Sequence, residues 1–197
     1  LYSNHTERYR NNLIMFSSIE HPHTRLNILT GEWVLVSPHR MKRPWQGKVE
    51  TVPTAQPVAY DESCNLCPSN KRADGTINPE YSDPFVFTND FSALLPSIPE
   101  GGENINDLLV SKSETGICKV ICFSPNHSLT LPLMSEVEIQ KVIQLWKDEF
   151  KLLAENKSIK YIQIFENKGE IMGCSNPHPH GQIWASSSIP VDLFKET

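Results

Sequence analysis

Gly173-Cys174-Ser175-Asn176-Pro177-His178-Pro179-His180-Gly181-Gln182-Ile183-Trp184 is a loop of small residues running into an apolar, strand-like stretch. Two histidines stand two residues apart in it, each preceded by proline. In extended backbone, residues i and i+2 point to the same side. His178, His180 and Gln182 are therefore expected on one face. Gly173, Cys174 and Ser175 lie just upstream, where a loop can expose backbone N–H groups and glycine permits close approach. Two imidazoles and an amide in a row beside such a loop suit attack on a phosphorus atom better than they suit a core.

That chemistry needs a neutral imidazole nitrogen as nucleophile. It also needs the other ring nitrogen held by an acceptor, which fixes the tautomer. Donors must meet the phosphate oxygens as charge moves onto them. His180 is the expected nucleophile, Gln182 the amide donor, and Ser175 a hydroxyl beside them. The bland alternative is a surface loop with two satisfied histidines. His21-Pro22-His23 repeats the tripeptide with no Gly-Gln or strand behind it, and that copy is read as the bland case.

Working outward, strands dominate. Leu26 to Val36 reads as a hairpin turning at Thr30-Gly31. Phe85 to Thr88 is a short strand, Ile117 to Phe123 a buried one, and Lys160 to Glu166 another. Asn167-Lys168-Gly169 then turns the chain towards the His-Pro-His segment, whose strand runs through Ser187. Ser135-Glu136-Val137-Glu138 is a capping box. Behind it Ile139, Val142, Ile143, Trp146, Phe150 and Leu153 keep helical spacing, which predicts one long helix. Pro96 to Glu103 reads as loop. Residues 1–23 read as an irregular tail and 24–197 as one domain. The pattern is α+β with a largely antiparallel sheet.

The 48 residues from Ser37 to Pro84 are rich in proline, asparagine and charge. A loop of that length is functional or tied down. Cys64-Asn65-Leu66-Cys67 in its middle has zinc-ligand spacing, and a redox CxxC is the alternative. Two more ligands are needed. His127 follows one buried strand and His178 precedes another, so these four make a candidate structural Cys₂His₂ site. His178 would couple it to the strand bearing His180. Cys118 and Cys122 are expected to pack as small hydrophobes.

His39-Arg40-Met41-Lys42-Arg43-Pro44 is the dense basic run. Arg40 and Arg43 could clamp a diphosphate, or the run could be a solvated loop. Asn89-Asp90 could cap a turn or hold ribose hydroxyls, and Asn167 has the same ambiguity. The 197 residues carry a formal net charge of −5, which does not advertise nucleic-acid binding. No apolar run approaches bilayer length, so no membrane partner is expected. The five cysteines are an odd number, which argues for a reducing, cytoplasmic setting.

Together these segments resemble the galactose-1-phosphate uridylyltransferase family of the histidine-triad-like superfamily. The resemblance runs from about Asn27 to Glu196. It is carried by Ser37-Pro38-His39-Arg40-Met41-Lys42-Arg43-Pro44-Trp45, Cys64-Asn65-Leu66-Cys67-Pro68, Phe87-Thr88-Asn89-Asp90-Phe91, Phe123-Ser124-Pro125-Asn126-His127, Phe165-Glu166-Asn167-Lys168-Gly169 and the His-Pro-His-Gly-Gln segment. It implies a histidine-triad-like half-barrel with one long helix, one of two similar halves. It implies a ping-pong reaction in which His180 takes UMP from UDP-glucose, expels glucose 1-phosphate, and passes UMP to galactose 1-phosphate to give UDP-galactose.

The same resemblance sets Arg40, Arg43, Asn89, Asp90, Asn167, Gly173, Cys174, Ser175 and Gln182 around the UDP-sugar. It brings the loop Asn70-Lys71-Arg72-Ala73 to the nucleotide. Cys64, Cys67, His127 and His178 match zinc ligands, and Glu196 matches a carboxylate of a second site, usually iron. The full-length family is expected to be a homodimer. The sequence stops at Thr197, so the second half, with the histidines that would join Glu196, is expected to be missing. Two alternatives follow: a truncated, non-catalytic UDP-sugar-binding module, or a histidine-triad nucleotide hydrolase or phosphorylase.

Overall fold

The capping box forms as the sequence predicts. Ser135 Oγ accepts the Glu138 N–H at 3.3 Å, and the Glu138 carboxylate takes the Ser135 N–H at 2.7 Å. Two donors left over at the helix start are thereby satisfied, and α1 runs over Glu136–Ala154. The computed structural model describes residues 15–42, 57–169, 172–174 and 176–196. Among them, no helix is long and apolar enough to cross a membrane.

Among the described residues, eight strands form two four-stranded sheets. The first contains β1 (His23–Asn27), β2 (Glu32–Val36), β4 (Gly102–Ile105) and β5 (Leu109–Ser113), in the order β2-β1-β5-β4. The second contains β3 (Phe85–Thr88), β6 (Gly116–Cys122), β7 (Tyr161–Phe165) and β8 (His180–Ser186), in the order β3-β6-β8-β7. All pairings between these strands are antiparallel. The α+β class holds, with the strands divided between two sheets. A short helix, α2 (Val191–Glu196), follows β8.

Three expectations need correction. The hairpin turns at Thr30-Gly31 as read, but β1 begins at His23, and Pro22 and His23 are fully buried. Regular structure thus reaches into the segment read as a tail, at His23. A strand, β1, does stand behind the first His-Pro-His, contrary to expectation, and His23 is satisfied, as the bland reading requires, but in the interior: Nδ1 donates to His21 O and Nε2 accepts from Arg25 Nε, both at 2.9 Å. The stretch read as loop also leads into β4 and β5, whose largely exposed residues show no apolar alternation.

The cross-strand register sorts the second sheet into two faces. One carries Ile121, Ile183, Ala185 and Ile162, which pack with Val142 and Leu153 of α1 and with Phe123 and Met134. The predicted helical stripe is split. Val142 and Leu153 are buried, but Ile143 and Phe150 are 44% and 49% exposed. Each lies about 100° around the helix from a buried neighbour, Val142 or Glu149, and so at the edge of the stripe. With Trp146, Ile164 and two lysines they line a groove on the surface.

The buried place seven residues after Val142 belongs to Glu149, which pairs with Lys119 of β6 at 2.5 Å. Both side chains are at least four-fifths buried. Removing one partner of such a pair strands the other charge. Glu149→Ala is expected to lower unfolding free energy by about 3 kcal/mol, with Lys119→Met restoring much of it in the double variant. Calorimetry checks this, and additive losses would contradict it.

Candidate functional site

The other face of the second sheet begins as a ladder of aligned side chains. Phe85 of β3 stands opposite Cys122 of β6, and Cys122 opposite His180 of β8. One step along, Phe87, Val120, Gln182 and Phe165 follow in the same order. The long loop covers one end of this face. Cys64, Leu66 and Cys67 pack on Val120 and Cys122, beside Tyr81, Phe85 and Phe87.

Asparagines shape that loop. Asn70 Nδ2 donates to Asp61 O and Cys64 O, both at 2.8 Å. Asn78 Nδ2 donates to Asn65 O at 2.9 Å and Cys67 O at 3.0 Å. Cys64 and Cys67 are thereby turned inward to meet two histidines. Cys67 Sγ is 3.5 Å from Nδ1 of both His127 and His178, and Cys64 Sγ is 3.8 Å from His178 Nδ1. All four ligand atoms lie within 4.8 Å of one another and all four residues are buried. The predicted cluster assembles, and it could hold a metal ion.

Its electrostatics suit neutral or metal-bound ligands. His178 Nε2 lies 2.9 Å from Ser124 O. A carbonyl only accepts, so Nε2 carries the proton and Nδ1 turns its lone pair to the cysteines. Burial pushes the Cys67 thiol up to about 11, so an ion bound there would displace its proton. Burial pushes the His178 imidazole down to about 4.

The sign of the resulting pH dependence follows from linkage. A depressed histidine binds fewer protons folded than unfolded. Its contribution is fully present above the unfolded value of about 6.5 and is lost as pH falls towards about 4. Metal-free protein is expected to lose about 3 kcal/mol more than a His178→Gln variant across that window. Urea unfolding at stepped pH measures it, and equal losses in the two proteins would contradict it.

His180 and Gln182 share a face, as expected. His178 sits just ahead of the strand and turns into the cysteine cluster. The two histidines are joined by one bond: His180 Nδ1 donates to His178 O at 2.7 Å. In the neutral ring the lone pair is therefore on Nε2. Gln182 is oriented by similar logic. Trp184 Nε1 lies 3.2 Å from Gln182 Oε1, and an indole N–H only donates, which leaves the amide NH₂ on the other side.

The other predicted residues gather unevenly. Arg40 lies in the short helix Pro38–Lys42, which His39 Nε2 and Ser37 Oγ anchor to Ser92 O and Ala93 O. Burial raises the Cys118 thiol, and the Arg40 guanidinium nearby opposes that rise. Asn89 N–H bonds Cys118 O at 2.9 Å, and Cys118 stands opposite Trp184. Arg40 and Asn89 are thus both tied to Cys118, two residues along β6 from Val120, which stands opposite Gln182. Asn89 Oδ1 caps a turn by accepting the Phe91 N–H at 3.0 Å.

Asp90 faces Arg72 Nε at 3.3 Å, and burial raises its carboxyl despite that partner. Ala73 is exposed in the loop beside Arg72. Gly173, with φ +77°, and Cys174 lie in the loop after Asn167, where Cys174 N–H reaches back to Gly169 O at 3.3 Å. Arg43 and Ser175 lie outside the described residues. Glu196 is exposed at the end of α2 and joins no cluster of potential metal ligands among the described residues.

The contacts of two residues escaped the sequence reading. Arg72 stacks over Phe87 at 4.3 Å from the ring centre, and Trp184 orients Gln182. For Trp184 the signal was there: it is i+2 from Gln182 on the same strand. For Arg72 the resemblance named only its loop; its pairing with Phe87 and Asp90 is a product of the loop's fold.

Residues 14–190 match the family described as galactose-1-phosphate uridyl transferase, N-terminal domain. A Haemophilus influenzae protein named galactose-1-phosphate uridylyltransferase is 52% identical, over 92% of this chain and 52% of its own length. The Saccharomyces cerevisiae protein of that name is 46% identical, over 92% of this chain and 53% of its own. A solved uridylyltransferase structure has the same fold, with a TM-score of 0.65 at 24% identity over 88% of this chain and 48% of its own. An Arabidopsis thaliana ADP-glucose phosphorylase with bound ADP-glucose aligns with a TM-score of 0.50 at 25% identity, over 90% and 56%. The chain spans about half the length of the curated relatives it matches.

Proposed function

The chain belongs to the galactose-1-phosphate uridyl transferase family, within its N-terminal domain, and from that premise we propose that it carries the uridylyl-accepting histidine of a UDP-glucose:hexose-1-phosphate uridylyltransferase. The observation that carries the reading is the His180 Nδ1 to His178 O bond at 2.7 Å. It selects the tautomer a nucleophile needs and supports the imidazolium that forms during attack.

In the first half-reaction His180 Nε2 attacks the α-phosphorus of UDP-glucose. An N–P bond forms, and the P–O bond to glucose 1-phosphate breaks with its electron pair going to that product. In the second, a phosphate oxygen of galactose 1-phosphate attacks the same phosphorus, the N–P bond breaks, and UDP-galactose leaves. Gln182 donates its amide N–H to the phosphoryl oxygens as charge shifts onto them. The loop of Gly173, Cys174 and Ser175 offers further donors, and Arg40 and Arg43 meet the diphosphate. Asn89, Asp90, Asn167 and the loop at Ala73 surround the nucleotide.

Zinc is the ion proposed for Cys64, Cys67, His127 and His178. With Zn–S near 2.3 Å and Zn–N near 2.0–2.1 Å, tetrahedral ligands stand about 3.4–3.8 Å apart. The sulfur–nitrogen separations of 3.5, 3.5 and 3.8 Å fit that spacing. With four protein ligands the ion is structural, and it supplies a cross-link between the long loop and the histidine strand. Glu196 is the one residue of this chain proposed for a second, iron-type site. The five cysteines are free, which supports a cytoplasmic setting.

Covalent transfer predicts isotope exchange. Labelled glucose 1-phosphate is expected to enter UDP-glucose with no galactose 1-phosphate present, because the first half-reaction is reversible by itself. Exchange that needs both sugar phosphates would contradict the reading. The phosphorylase among the similar structures makes inorganic phosphate the competing acceptor: production of UDP from UDP-glucose and phosphate would favour that chemistry.

A further inference from the structure

Asn176 lies between the metal cluster and the nucleophile strand and belongs to neither set of predicted residues. Its Oδ1 accepts the His178 N–H at 2.9 Å. A backbone N–H only donates, so this contact fixes the amide with oxygen towards His178 and nitrogen on the other branch. Nδ2 is then 3.7 Å from Cys64 Sγ. The Leu66 N–H reaches the same sulfur at 3.3 Å.

As a thiol, Cys64 also faces Asn176 Oδ1 at 3.6 Å. As a thiolate it can only accept, and the Nδ2 contact becomes the hydrogen bond. The main chain of Asn176 is engaged as well, since its carbonyl accepts from Cys174 Sγ at 3.1 Å. One residue therefore touches a ligand sulfur, the backbone of a ligand histidine and the small-residue loop. His178 in turn holds His180 Nδ1 at 2.7 Å.

We infer that Asn176 is a positioning residue that joins the Cys64 thiolate to the main chain of His178 and so couples metal occupancy to the setting of His180. This rests on the metal reading above. Donors to a ligand sulfur stabilise the thiolate, and the loss of such outer partners costs 10- to 100-fold in metal affinity.

Two variants of the full chain test the inference. Asn176→Asp keeps the shape and the acceptor for His178 N–H, but loses the donor to sulfur. Asn176→Ala loses both without adding charge. Zinc affinity is measured by competition with a chromophoric chelator, the sulfur-to-metal charge-transfer band is read on cobalt-loaded protein, and circular dichroism of the metal-free proteins checks folding. Zinc binding about 10- to 100-fold weaker in both variants, with a shifted cobalt band and unchanged metal-free dichroism, is the expected result.

Wild-type affinity and an unmoved band in both variants would overturn the inference and leave the metal reading standing. A wild-type chain that takes up no stoichiometric zinc would overturn both. Should Asn176→Ala unfold, the near-isosteric Asn176→Asp decides.

Discussion

Exchanging His180 for glycine is expected to abolish covalent uridylylation and to slow glucose 1-phosphate exchange on the order of 10⁴-fold or more. Losses of that size follow when a covalent nucleophile is removed and only binding contacts remain. The fold should survive. His180 is half-buried at the start of β8, and glycine in a strand costs about 0.5–1 kcal/mol. By the usual relation between free energy and melting temperature, that is a shift of a few degrees. Exchange kinetics and a melting curve on the same preparation separate lost chemistry from lost structure. Residual exchange within tenfold of wild type would assign the nucleophile elsewhere.

Exchanging Cys67 for serine is expected to have the largest effect on stability. Cys67 is fully buried and faces both ligand histidines. A site saturated at about a thousand times its dissociation constant stabilises the folded state by about 4 kcal/mol. For a domain of this size that corresponds to about 8–16 °C in melting temperature. Cys67→Ser should lose stoichiometric zinc and melt lower by about that interval, and a chelator should bring wild type down to the same point. Chelator should then have little effect on the variant. Cys118→Ser serves as a control at a buried cysteine outside the cluster: its zinc content should stay at wild type, whatever its melting temperature. Equal zinc content in Cys67→Ser and wild type would contradict the assignment.

Parts of this molecule were legible where local chemistry and final environment agree. Ser135 and Glu138 cap α1 because both halves of a capping box lie within four residues. β6 and β8 were readable because each has one face closed by the core. His127 and His178 were readable as partners of Cys64 and Cys67 because each adjoins a buried strand. β4 and β5 were not: their residues are mostly exposed, so no apolar alternation marks them. Glu149 broke the helical pattern from the other direction. Its burial is set by Lys119, thirty residues away in sequence. The nearby prediction for Asn89 shows a further limit, since its side-chain oxygen serves a turn and sequence alone offered turn and ligand equally.

The central claim is that His180 becomes a covalent carrier, and intact-mass measurement of the protein tests it most directly. A brief incubation with UDP-glucose should add the mass of one uridylyl group. Peptide mapping should find it on His180, and galactose 1-phosphate should remove it. A chain that binds UDP-glucose but gains no mass, or that keeps the added group when the sugar phosphate is supplied, would contradict the account.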